Sequence, residues 1–211
     1  MTDGELALST DGELAPSTER RLFVAIPIPA DARAAVATLV GSVRGAGDPT
    51  QRDVRWVRLD GLHLTVRFLG PTDDERIGDV AAAVDRAASV LTPFRVEIAK
   101  AGAFPSVARP RALWLGVDAG AEPLAAAAGA LDDALEPAGW PRQDRPYRAH
   151  LTLARSDGVR AGPSVARRLV AAAADFRTGF QAEAITLFES VIGGGRARYV
   201  PLVEVPFRGP G

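Results

Sequence analysis

Apolar positions along the chain fall into two kinds of run: short stretches rich in branched and aromatic residues, and longer alanine-rich stretches with helical spacing. RLFVAIPI at Arg21–Ile28 reads as a strand, closed by Pro29. Asp31 stands as an N-cap before an alanine-rich helix reaching about Arg44. Gly45–Gln51 is a loop, and Trp56–Val57 and Leu62–Leu69 read as strands separated by a turn at Asp60–Gly61. Asp73 and Asp74 open a second helix to about Val90. Phe94–Lys100 alternates apolar and polar residues as a strand does, and Ala112–Val117 is another strand. A helix over Pro123–Leu135, a strand over Tyr147–Arg155 and a helix over Ser164–Ala174 follow. Gly179–Ser190 and Ala197–Val205 close the chain as strands, with Gly193–Gly195 as the turn between them. Hairpin-like pairs intermingle with helices and no regular parallel βαβ series appears. The pattern is α+β with mostly antiparallel sheet.

Two of the predicted strands carry the same tripeptide. LHLTVRFLG (Leu62–Gly70) and AHLTLAR (Ala149–Arg155) both contain His-Leu-Thr followed by an apolar residue, and the chain has only 2 histidines, His63 and His150. In a strand, residues i and i+2 share a face about 6–7 Å apart. His63 therefore looks out with Thr65, and His150 with Thr152, while Leu64 and Leu151 point into the core. If the two strands face each other across a cleft, two imidazoles and two hydroxyls converge. A cyclic phosphodiester needs such a set: one group takes a proton from attacking water, and another returns one to the departing ribose oxygen. Imidazoles titrate near neutral pH and can do both. The threonine hydroxyls can donate to the non-bridging oxygens, where charge grows. One His-x-Thr in a strand is ordinarily structural; a matched pair holding both histidines is not an ordinary accident. Metal binding is the other chemical reading, but two histidines rarely hold zinc without further ligands. The nearest carboxylate, Asp60, reads as a turn residue.

Composition narrows the class further. The 211 residues are 47% apolar and 24% charged, and there is no cysteine, which excludes disulfides and thiolate metal sites. The net charge of −1 does not suit a general nucleic-acid coat. Residues 1–20 hold five acids and one base, so the remainder carries 24 bases against 21 acids, a mildly positive body suited to a local phosphate site. That first stretch repeats DGELALST as DGELAPST and is read as a disordered acidic tail, with residues 21–211 forming one domain. It has no signal-peptide core, and no apolar run is long enough to span a bilayer, so a soluble cytoplasmic protein is expected. No exposed apolar stripe is evident, and a monomer is the default. No glycine-rich phosphate loop is present.

The paired HxTx motifs resemble those of the 2H phosphoesterase superfamily, specifically the RNA 2′,3′-cyclic phosphodiesterases once called 2′-5′ RNA ligases. RLFVAI, WVR at Trp56–Arg58, GAFPS at Gly102–Ser106, RPRALWLGV at Arg109–Val117, RPYRAHLTLAR at Arg145–Arg155 and FES at Phe188–Ser190 carry the resemblance over about residues 21–207. It implies a bilobal fold: two mostly antiparallel sheets related by a pseudo-two-fold, helices outside and a central cleft. It also implies hydrolysis of RNA or nucleoside cyclic phosphate ends to the 2′-phosphomonoester, with no metal or other cofactor, and in some members reverse 2′-5′ joining. By the same likeness His63 and His150 are the catalytic pair, with His150 as base toward water and His63 as acid toward the 3′-oxygen. Thr65 and Thr152 hold phosphate, joined by Arg155, the arginine closing the second motif. Arg155 lies three residues after Thr152, so strict alternation points it away, and a bulge or strand end is needed to bring it round. Phe68 occupies the equivalent place after the first motif and is a candidate for base stacking, with Phe104 and Pro105 nearby. Arg67 shares the His63 face by period, and Arg148 the His150 face; each is a further candidate for phosphate affinity. Trp56 and Trp114 read as core. Ala149 stands where relatives often carry proline. Another small cyclic phosphate, such as an ADP-ribose derivative, and an RNA-end binding module without turnover stay open on the sequence.

Overall fold

In the computed structural model, residues 19–44, 53–193 and 196–209 are described. The repeated acidic segment and the Gly45–Gln51 loop lie outside them, apart from the last two residues of the expected tail. Those two, Glu19 and Arg20, belong to the first strand. β1 spans Glu19–Pro27, and Arg20 is ion-paired with Asp74 and Glu189. The strand thus begins two residues before its apolar run, because backbone pairing to β3 continues where side chains are solvated.

The element order is β1, α1 (Ala30–Arg44), β2 (Val54–Trp56), β3 (His63–Asp73), α2 (Ile77–Ser89), β4 (Phe94–Phe104), β5 (Ala112–Ala119), α3 (Ala121–Leu135), β6 (His150–Ser156), α4 (Gly162–Ala172), β7 (Arg177–Ala182), β8 (Ala184–Gly193) and β9 (Arg196–Pro206). Short 3₁₀ turns precede β3 and α2 and follow α3. The strands form two antiparallel sheets, a four-stranded one ordered β3-β1-β8-β9 and a five-stranded one ordered β2-β6-β5-β4-β7. The α+β expectation holds.

Helices cover the outer faces, exchanged between halves. α2 and α3 pack together, α2 against β8 and β9 and α3 against β3; α1 and α4 pack together, with α4 against β4 and α1 against β7. Each helix turns an aliphatic stripe inward. Val80, Ala83, Val84 and Ala87 of α2 and Leu124, Ala128, Leu131 and Leu135 of α3 are buried at helical spacing. Small alanines let the helices sit close to the sheet, and removal of these side chains from water supplies the main driving force.

One expected strand is two. Gly179–Ser190 breaks at Glu183, with β7 joining the five-stranded sheet beside β4 and β8 the four-stranded sheet beside β1. Alternation runs on through the break, so the apolar pattern does not mark it. No helix among the described residues is long and apolar enough to cross a membrane.

Candidate active site

Each HxTx motif lies on a strand that faces the space between the sheets, and each is followed by the same irregularity. On β3, Thr65 pairs with Ala25 and Arg67 with Val24, so Val66 is an extra residue in the ladder. On β6, Thr152 pairs with Trp114 and Ala154 with Leu113, so Leu153 is extra. A bulge of this kind lets two neighbours share one face and then restores the alternation out of phase. Burial follows: both strands read half-buried, buried, half-buried, buried, buried, exposed from the histidine onward. The backbone carbonyl of the bulged Leu153 accepts a 2.9 Å hydrogen bond from the Val57 N–H, which fixes its position.

The bulge settles the placement of three residues. Arg155 emerges on the Thr152 side and lines the same cavity. Phe68, at the matching place after the first motif, emerges on the Thr65 side and is 63% exposed. Arg67 does the opposite of what strand period predicts. It is turned to the helix side, buried, with its Nε 3.1 Å from Asp132 Oδ1 on α3 and its Nη2 donating to the Pro141 carbonyl. Arg67 is therefore a structural residue, and the expectation that it shares the His63 face is corrected.

The two imidazoles are held alike. His63 Nδ1 lies 2.7 Å from the Gly61 carbonyl, and His150 Nδ1 lies 2.7 Å from the Arg148 carbonyl. A carbonyl can only accept, so each Nδ1 carries the proton and donates. This leaves Nε2 of both rings as the nitrogen able to exchange a proton with a bound molecule.

Their surroundings differ. His63 sits in an aromatic wall: its ring centroid is 4.8 Å from that of Phe23 and 4.8 Å edge-on from that of Tyr199, with Phe188 at 6.2 Å. Burial pushes its imidazole below the usual histidine range, opposed in part by the bond to Gly61. Among the described residues, the one ring against His150 is Phe104, edge-on at 5.1 Å, and Phe104 in turn packs on Trp114. Trp114, expected in the core, instead lies beside Thr152 on the cleft side of its strand. Its ring fills the space over Gly102, where any Cβ would come within 2.4 Å of it.

Two adjoining cavities meet at this point. A chamber of about 350 Å³ is lined by His63, Thr65, Thr152, Arg155, Phe23, Phe68 and Tyr199, with Arg21 and Ser190 at its edge. A chamber of about 870 Å³ is lined by His150, Phe104, Tyr147 and several arginines. Thr65, Phe68 and Arg155 line both, so the junction lies between the two histidines. The Tyr147 hydroxyl, whose pKa burial raises, donates to the Thr65 carbonyl at 3.0 Å and ties the approach to β6 onto β3. Asp60 is engaged by Arg58 in the 3₁₀ turn before β3, and its carboxyl is held low by that arginine, as a turn residue should be. Among the described residues, no three His, Cys, Asp or Glu side chains gather as a metal site would need.

Sequence reasoning missed Tyr199, Phe23 and Phe188 as the wall of His63. They reach it through sheet pairing, which leaves no local signal. The wall has a measurable consequence. Tyr199→Ala opens His63 to water, which favours the charged imidazole, so its pKa should rise. The limb of the kcat/KM–pH profile set by His63 then moves to higher pH, whichever proton-transfer role that ring plays. A limb that stays in place in this variant would show that the aromatic wall does not tune the ring.

Comparison with known proteins places this geometry among relatives. Residues 28–191 match the family model described as the 2′-5′ RNA ligase superfamily. An RNA 2′,3′-cyclic phosphodiesterase of Aeropyrum pernix is 29% identical over 172 residues, covering 81% of this chain and 93% of that protein. One of Thermus thermophilus is 34% identical over 148 residues, covering 64% of this chain and 68% of that protein. Among solved structures, TT0787 of Thermus thermophilus superimposes with a TM-score of 0.70 at 26% identity, covering 90% of this chain and 98% of that one. Escherichia coli LigT complexed with 3′-AMP gives a TM-score of 0.69 at 26% identity, with the same coverage.

Proposed function

The chain belongs to the 2′-5′ RNA ligase superfamily, and from that membership and the geometry of its cleft we propose that it hydrolyses 2′,3′-cyclic phosphate ends of RNA or nucleotides. The product is a 2′-phosphomonoester with a free 3′-hydroxyl. Water attacks phosphorus while His150 Nε2 takes its proton. The bond from phosphorus to the 3′-oxygen breaks, and His63 Nε2 supplies the proton that this oxygen needs. In the reverse, ligating direction the two roles exchange. The hydroxyls of Thr65 and Thr152 and the guanidinium of Arg155 face the non-bridging oxygens, where negative charge builds in the transition state. Arginine suits that place because its planar fork can hold two phosphate oxygens at once.

The observation that carries this reading is the junction itself. The two threonines and Arg155 share one chamber with His63, and Thr65 and Arg155 share the other with His150. A phosphorus at the boundary would have one Nε2 on either side, the in-line placement that a displacement with separate base and acid needs. The two Nδ1–carbonyl bonds support it further, since both rings enter with the same tautomer and an unencumbered Nε2. Both proton transfers run through side chains, so the activity should persist in excess chelator. The test is hydrolysis of a nucleoside 2′,3′-cyclic phosphate in chelator, with the product identified by phosphorus NMR. The 2′-phosphate is expected; loss of turnover on chelation, or the 3′-phosphate as product, would reject the mechanism.

A further inference from the structure

Each motif strand is gripped along its outer edge by the segment that leads to the other motif. Val57, six residues before His63, donates its backbone N–H to the Leu153 carbonyl on β6. Tyr147, three residues before His150, donates its hydroxyl to the Thr65 carbonyl on β3, an edge strand of its sheet. The two segments differ in how they are supported. On the first, Arg58 pairs with Asp60, the Gly61 N–H donates to the Arg58 carbonyl at 3.3 Å, and the Leu62 carbonyl accepts from the Ile28 N–H at 3.0 Å. The Gly61 carbonyl that holds His63 is thus fixed on both sides. The second segment is a bare strap. Residues 141–149 form no helix or strand, and of residues 141–148 all but Tyr147 are exposed. The start of the strap is held to α3 and β3, where Arg142 pairs with Asp133 and the Pro141 carbonyl accepts from Arg67. Gln143 Nε2 reaches the Val66 carbonyl only at 3.5 Å, the outer limit of a hydrogen bond. Beyond it, among the described residues, the Tyr147 hydroxyl makes the strap's one hydrogen bond to β3. The next residue is Arg148, whose carbonyl sets the His150 tautomer. Burial raises the pKa of the phenol, so its hydroxyl remains a donor wherever imidazoles titrate.

We infer that Tyr147 is a positioning residue: its hydroxyl, seated on the strand of the first motif, holds the strap that aims His150 across the cleft. The inference rests on the proposed acid–base pair and adds to it a residue that acts through one of its members. It carries an asymmetry. The phenol is bonded to β3, the strand of His63, yet its loss should loosen His150. The Gly61 anchor of His63 has supports of its own, whereas the Arg148 anchor of His150 leans on this bond.

Tyr147→Phe tests this, since it keeps the ring and removes the oxygen. The chain has only 2 histidines, so each ring is assigned in long-range ¹H–¹⁵N spectra by the loss of its signals in His63→Ala or His150→Ala. At a pH where both imidazoles are neutral, the native rings should both carry the proton on Nδ1. In Tyr147→Phe, His63 should stay in that form and His150 should become a mixture of the two tautomers. On a nucleoside 2′,3′-cyclic phosphate, kcat should fall by up to about tenfold, the worth of one hydrogen bond, with KM little changed. That loss should persist in the His63→Ala background and vanish in the His150→Ala background, as it must for a residue that acts through His150. A His150 ring that stays wholly Nδ1-protonated in the variant, an equal loss in both backgrounds, or a variant that thermal melting shows to be unfolded would overturn the inference. Native protein that turns over no cyclic phosphate would reject the catalytic reading alone, and the spectra would then decide the role of Tyr147.

Discussion

Replacing His63 or His150 with alanine should each slow opening of a nucleoside 2′,3′-cyclic phosphate by about 10²–10⁴-fold, the usual worth of one positioned proton transfer. Neither substitution should unfold the protein, because both side chains lie at the cavity and not within the aliphatic layers. The losses should not add in the double variant, since base and acid act on one displacement. An aryl phosphodiester separates the roles. Its phenolate departs without a proton, so His63→Ala should recover most of its rate there, while His150→Ala should remain slow. Recovery by His150→Ala instead would exchange the two assignments, and native-like turnover in either variant on the cyclic substrate would remove that ring from the chemistry. The assays need no structural change to interpret, because circular dichroism and thermal melting report folding independently of rate.

Arg67→Ala should strongly reduce stability. The Arg67 and Asp132 side chains are only 7% and 13% exposed, and their ion pair joins β3 to α3. Removing the arginine strands a carboxylate in a nearly dry site and also frees the Pro141 carbonyl, which now accepts from Nη2. Breaking a buried pair from one side typically costs about 3–5 kcal/mol. Denaturant midpoints measure this directly. A loss under about 1 kcal/mol, the range of solvent-exposed pairs, would show that water reaches the pair. Phe68→Ala, one position on but on the opposite face, should leave the midpoint nearly unchanged, because that ring is mostly exposed.

The contrast between Arg67 and Phe68 also shows what the sequence could and could not disclose. His63, Thr65, His150 and Thr152 were legible because the alternation of two holds across each tripeptide. Beyond each threonine the ladder gains a residue, and no feature of VRF or LAR announces it. Strict period therefore carried Arg67 to the wrong face and left Arg155 dependent on an irregularity that only backbone pairing reveals. The α+β class was readable from runs and breaks. The change of sheet at Glu183 was not, because QAEAI keeps its apolar–polar rhythm across the crossing. The wall around His63 was hidden for a different reason: Phe188 and Tyr199 are close to it only through strand order.

That strand order has a consequence for how the enzyme comes into being. β3 lies in a sheet completed by β8 and β9, the last two strands of the chain. A ribosome releases Phe23 and then the first histidine early, yet Phe188 and Tyr199, the other rings that shelter it, follow only on β8 and β9. The five-stranded half needs strands only as far as β7. That half can therefore form first, and the pocket around His63 gains its full wall only once β8 and β9 have followed.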